Sequence, residues 1–324
     1  MSGEALAHRA LGRGRSPAAP RKIARMPAEL GVVTLAHRDL EARFAAGANM
    51  VGCSLRHRGE ELLGLRDGPG AYLGRGKTFG IPLLHPWANR LGSWRYDVAG
   101  RAVDLEGAAL VRADEHGLPI HGALPAGARW RVLDTTREAL WAERDWAADP
   151  ARMAIFPFAH RFELRAAVDG GALLVAATLV ATGDDPVPLA FGFHPYLAPP
   201  AAPRERWEVE LPAMAHLALD DRGLPTGARS PQPAARFVLG DRTYDDAFAL
   251  DAPSARFAVS DGARRIEVAF EHGFPYAQVF APPGQALICF EPMAAPTDAL
   301  RTHDGLRCVA PGERASAAFA LRVN

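Results

Sequence analysis

Five short stretches set polar side chains among apolar residues, most with glycine or proline, a setting suited to proton transfer or to holding hydroxyl groups. In Phe191-Gly192-Phe193-His194-Pro195-Tyr196 an imidazole ends an apolar, aromatic run. Pro195 forces the residue before it into extended backbone and interrupts regular pairing, so His194 is expected at a strand end. An imidazole there, facing a cleft, exchanges protons near neutral pH. The same residues also read as a core histidine satisfied by a carbonyl. In Ala286-Leu287-Ile288-Cys289-Phe290-Glu291-Pro292 five apolar residues lead to a carboxylate, with Pro292 expected to end the ladder. Burial there would raise the carboxyl pKa and make Glu291 a better general base at pH 7. The alternative is a glutamate turned to solvent.

Three further stretches offer binding groups. In the segment 79–91, FGIPLLHPWANRL, Arg90 presents a planar fork suited to paired acceptors such as vicinal hydroxyls, or else makes an ordinary surface ion pair. In LPIHGAL, His121 precedes Gly122, where a missing side chain permits close approach to the backbone; a turn histidine is the plain alternative. In YDDAF, Asp245 or its neighbour Asp246 can accept two hydroxyls at once, unless both are solvated turn acids. These residues lie far apart in the chain, so only the fold can assemble them.

The elements that must do so read as strands. Phe162, Leu164, Ala166 and Val168 alternate with polar residues, Asp169-Gly170-Gly171 turns the chain, and a nearly apolar strand returns to Val180. Phe257 and Val259, then Asp261-Gly262, then Ile266, Val268 and Phe270 repeat the pattern, and Ala99-Gly100 marks a third hairpin. Tyr276 to Phe280, Ala286 to Phe290 and Ala315 to Val323 add strands. With 27 prolines and 31 glycines punctuating the chain, no segment of three helical turns is expected. The reading is all-β, a sandwich or barrel, with residues 29–324 as one domain.

Composition narrows the function. The 324 residues carry 37 basic and 37 acidic side chains, a net charge of zero, which points neither to nucleic acid nor to an anionic membrane. Only Lys22 and Lys77 are lysines, which argues against Schiff-base chemistry. Cys53, Cys289 and Cys308 form neither a disulfide framework nor a zinc pair, so cytoplasmic residence is expected. Residues 1–28, rich in arginine, alanine and proline without an apolar core, are expected to be a disordered basic tail.

The order of GIPLLHPWANR, IHG, FGFHPY, YDDAF and FEP, from about Gly80 to Leu300, resembles the aldose 1-epimerase (galactose mutarotase) family. The resemblance implies a large antiparallel β-sandwich, the galactose mutarotase-like supersandwich. It implies His194 as general acid and Glu291 as general base, with Arg90, His121 and Asp245 on sugar hydroxyls. It also implies a small-molecule sugar substrate, no cofactor and no metal, acid and base lying on opposite sides of one sugar, and a monomer or homodimer. His85 stands where relatives often carry an aromatic residue. Related hexose-6-phosphate epimerases tend to place an arginine before the glycine of the GIP stretch. Lys77-Thr78-Phe79-Gly80 lacks it, leaving Lys77 and Arg75 as the cations for a phosphate. Two other readings are a non-catalytic carbohydrate-binding protein and a metal site from His121, His194, Asp245 and Glu291, which lacks local ligand spacing.

Overall fold

The computed structural model describes residues 26–324; most of the predicted basic tail, residues 1–25, lies outside the described residues. Strand makes up 51% and helix 8% of the structure. The helices are short, at Gly68–Arg75, Pro150–Ile155 and Ala299–Thr302.

Two antiparallel sheets dominate. The nine-stranded sheet runs, in spatial order, Arg131–Thr135, Ala139–Asp145, His160–Asp169, Ala172–Ala181, Arg314–Val323, Arg265–His272, Ala255–Ser260, Glu208–Leu211 and Ala235–Val238. The hairpin expected around Gly170-Gly171 is there, with His160 opposite Ala181 at one end and Asp169 opposite Ala172 at the turn. The alternation is real: Phe162, Leu164, Ala166 and Val168 are all buried.

The eight-stranded sheet runs Pro225–Gln232, Met214–Leu219, Tyr244–Leu250, Tyr276–Ala281, Ile288–Met293, Gly192–Phe193 and Leu83–Leu84, and Tyr196–Leu197 also pairs with Ile288–Met293. Aromatic contacts tie the two sheets together, with Phe257 against Phe290 at 5.3 Å between ring centroids and Phe193 against Phe319 at 5.0 Å. Side chains alternate across a strand. One face of the eight-stranded sheet therefore joins this core through Val279, Phe290 and Ile288. The other face carries Asp245, Gln278, Glu291 and Tyr196.

Pro292 does not end its strand. It pairs opposite Ala277, and Met293 continues opposite Tyr276. One absent N–H is tolerated because the flanking rungs from Cys289 to Glu291 are kept. Glu291 therefore sits inside the strand, not at its end.

His85 packs among aromatic side chains. It is buried, its ring lies 4.8 Å from Trp146 and 4.7 Å from Phe162, and its Nε2 is 2.9 Å from Nε2 of His160. Nδ1 of His160 lies 2.7 Å from the Phe158 carbonyl, which can only accept. In the neutral pair His160 thus donates through Nδ1, and its Nε2 accepts from His85.

Candidate active site

Glu291 is delivered by the ladder between Tyr276–Ala281 and Ile288–Met293, where Gln278 stands opposite it. His194 follows the Gly192–Phe193 strand, and its own N–H donates to the Pro82 carbonyl at 3.1 Å. Tyr196 then rejoins the sheet opposite Cys289. The break at His194-Pro195 frees the imidazole from the ladder and turns it to the same face as Glu291. His194 Nε2 lies 3.1 Å from Glu291 Oε1, with the two side chains only 6% and 2% exposed. The pair touch side by side on one wall rather than facing each other across a sugar, because they come from neighbouring strands of one sheet face.

Burial, reinforced by the nearby Asp245 charge and opposed by Arg90, pushes the Glu291 carboxyl well above the ordinary range. Burial, with Arg66 and then Arg112 adding positive charge, pulls His194 down to about 3. The pair thus favours a neutral imidazole beside a protonated carboxyl. Such a pair shares one proton and titrates as a unit.

His194 is braced by the Tyr196 ring, stacked parallel at 4.2 Å between centroids, and its Nε2 is 3.2 Å from the Tyr196 hydroxyl. That hydroxyl lies 2.6 Å from Thr78 Oγ1 and accepts from Arg66 at 3.0 Å. His121 packs edge-on to His194 at 5.6 Å. It sits in a left-handed backbone conformation, φ 63°, followed by Gly122 at φ 67°. A non-glycine residue holds such a conformation only where its surroundings enforce it. Here His121 N–H donates to the Asn89 carbonyl and Ala123 N–H to the His85 carbonyl. A Cβ on Gly122 would lie 2.4 Å from the His85 oxygen, so only glycine fits.

Arg90 is buried and donates to Asp114 at 2.6 Å and to Glu115 at 3.1 Å, with Asp245 at 3.8 Å. It is both an ion-paired arginine and a member of the cluster. Asp245 accepts from the Gln278 amide at 2.7 Å. Asp246 points to the opposite face and pairs with His216 at 3.2 Å. All five residues singled out from the sequence thus converge on one face, and of the two aspartates Asp245 is the one that lies on it.

Gln278, Thr78, Arg66 and Arg112 were not picked out from the sequence. Gln278 had a signal, a lone polar residue in the apolar strand Tyr276–Ala281. Arg66 and Arg112 sit in unremarkable polar segments. Lys77 and Arg75 are exposed, and neither side chain bonds to the cluster. A cavity of about 20 Å³, room for one water, lies behind His121 between Thr78 and Arg112 and does not reach the His194–Glu291 pair. Among the described residues, no three His, Cys, Asp or Glu side chains converge as a metal site.

Known structures share the fold. A protein of Synechocystis is 21% identical, covering 90% of this chain and 95% of its own, with a TM-score of 0.71. A galactose mutarotase-like protein of Clostridium acetobutylicum is 16% identical, with 90% and 95% coverage and a TM-score of 0.77. A galactose 1-epimerase of Lactobacillus acidophilus is 13% identical, with 91% and 98% coverage and a TM-score of 0.69. No curated protein matches the chain. The family model for aldose 1-epimerase matches residues 31–322. With that match spanning nearly all of the described residues, the chain belongs to the aldose 1-epimerase family.

Proposed function

We propose that the protein is a cofactor-independent aldose 1-epimerase that interconverts the α and β anomers of a hexose by general acid–base ring opening and closure. The observation that carries this reading is the buried 3.1 Å contact between His194 Nε2 and Glu291 Oε1. The reaction moves protons at two oxygens, the anomeric O1 and the ring O5, and both are bonded to C1. An acid and a base lying side by side therefore serve both atoms of one sugar.

The proton count balances. The resting pair holds one proton, on the carboxyl. Its transfer across the contact gives imidazolium and carboxylate without exchange with solvent. The Glu291 carboxylate then takes the O1 proton while the His194 imidazolium protonates O5. The C1–O5 bond breaks and the open-chain aldehyde forms. Rotation about C1–C2 presents the other carbonyl face, and closure reverses both transfers. Arg90, His121 and Asp245 hold the remaining hydroxyls in register. The cysteines at 53, 289 and 308 are free, which supports the cytoplasmic expectation.

The test is polarimetry on freshly dissolved α-glucose and α-galactose, with wild type, Glu291→Gln and His194→Asn, with and without chelator. Wild type is expected to speed the optical change, the chelator to have no effect, and each variant to lose most of the rate. Tight sugar binding without rate would replace this reading with a carbohydrate-binding protein.

A further inference from the structure

We infer that Arg112 is a positioning residue for His121. Through one water held between Arg112 Nε and His121 Nδ1 it fixes the imidazole with its proton on Nε2, so that His121 meets the sugar as a hydrogen-bond donor. The role in turnover rests on the epimerase reading above.

Two short strands set the side chains next to each other. Val111–Ala113 pairs with Pro119–Ala123, with Val111 opposite Ala123 and Arg112 opposite Ile120. His121 and Gly122 are left over between those two rungs. Extra residues of this kind re-aim a side chain, and here the His121 ring comes to pack edge-on to His194. The Arg112 stem is closed in by the chain at Gly76, where a Cβ would lie 3.1 Å from Arg112 Cδ and 3.7 Å from its Nε.

The cavity of about 20 Å³ is lined by Arg112, His121 and Thr78. Arg112 Nε and His121 Nδ1 are both enclosed, and neither has a hydrogen-bond partner in the protein. Two unpaired buried polar atoms are costly, and a space of this size with polar groups on its wall holds one water. The water's orientation then decides the tautomer. Arg112 Nε–H can only donate, so it takes a lone pair of the water oxygen. With its oxygen toward the guanidinium, the water turns its hydrogens away from the cation, one to His121 Nδ1 and one to the Thr78 hydroxyl. Burial, followed by the Arg112 charge, holds His121 well below 6.5, so the ring is neutral and carries a single proton. With Nδ1 accepting, that proton sits on Nε2. Nε2 is the nitrogen that the half-buried ring leaves open.

The experiment reads the tautomer by nitrogen NMR of the histidine rings at neutral pH without sugar, with His121→Asn assigning the signal. Wild type is expected to carry the proton on Nε2. Arg112→Gln places an amide nitrogen where Nε stood and keeps a donor at the cavity, whereas Arg112→Met fills similar space without one. Both variants lose the guanidinium, so the difference between them isolates the donor. Arg112→Gln is expected to keep the wild-type tautomer. Arg112→Met is expected to mix the two tautomers and to raise KM about tenfold over Arg112→Gln, with kcat little changed. Arg75→Gln, at an exposed arginine away from the cluster, leaves tautomer and KM as in wild type. A wild-type proton on Nδ1, or the same tautomer in Arg112→Gln and Arg112→Met, overturns the inference. Because the tautomer is read without sugar, that outcome is separate from the epimerase reading, which fails if wild type does not speed the optical change.

Discussion

Gln278 stands opposite Glu291 across two adjoining strands, and its amide donates to Asp245 on the third strand at 2.7 Å. Three neighbouring strands thus place Glu291, Gln278 and Asp245 on one face. The period of two along each strand dictates this, and it also puts Asp245 rather than Asp246 on that face.

Asp245→Asn is therefore expected to lower kcat/KM by roughly tenfold or more, chiefly through KM, because a charged acceptor is lost at the sugar. Asp246→Asn touches only the His216 pair on the other face and is expected to stay near wild type. Steady-state kinetics on the two variants checks this. Equal losses would mean that the carboxylate facing Arg90 has no special role.

Glu291→Gln and His194→Asn each remove one member of the proton-sharing pair. Each is expected to reduce kcat by roughly 10²–10⁴-fold, with a smaller change in KM. The pH profile adds a second readout. The pair loses its working form on the acid side only when it takes a second proton, and burial holds His194 down to about 3. Wild-type kcat/KM is therefore expected to persist at pH 5, well below the ordinary imidazole value. A fall centred near pH 6.5 would show that His194 titrates as if exposed.

Much of this was legible in the sequence because strands write themselves with a period of two. The hairpin at Gly170-Gly171 and the polar interruptions at His194 and Glu291 are local patterns. Contacts between distant segments are not. Nothing near Pro292 announced that the flanking rungs would carry the strand past it. Nothing near His194 said that its partner lay in direct contact rather than across a sugar. Arg66 and Arg112 look like any solvent-facing arginine until the fold sets them beside Tyr196 and His121. His85 shows the same limit in the core, since its partner His160 lies on another sheet.

Gly122 is where backbone geometry and the site meet. Its φ of 67°, and the mere 2.4 Å that would separate an alanine Cβ from the His85 oxygen, leave no room for a side chain. Gly122→Ala is expected to shift His121 from its packing on His194, lowering kcat/KM and costing about 1–3 kcal/mol of stability. Gly127→Ala, at a positive φ with open space around it, is the steric control. Urea unfolding and kinetics on both variants separate the clash from the cost of a positive φ alone. Equal behaviour of the two would remove the steric argument.

The His85–His160 pair adds to the acid sensitivity of the fold, alongside His121 and His194. Burial, then His160, Arg144 and Arg152, hold His85 well below 6.5, and burial aided by Arg144 holds His160 at about 4. In the unfolded chain both titrate near 6.5. Between pH 6.5 and about 4 the unfolded chain therefore binds more protons than the folded one, and stability falls as pH drops. The contribution is fully present above pH 6.5 and lost toward pH 4, roughly 3 kcal/mol for His160 alone. This window lies above the range in which Asp114 and Asp149, held below their ordinary values by hydrogen bonds and arginine neighbours, begin to take up protons. His85→Phe is expected to start less stable, since His160 Nε2 loses its donor, yet to lose less between pH 7.5 and 5 than wild type does. Urea midpoints at pH 7.5, 6 and 5 decide it: parallel acid losses in the two proteins would place the titrating groups elsewhere.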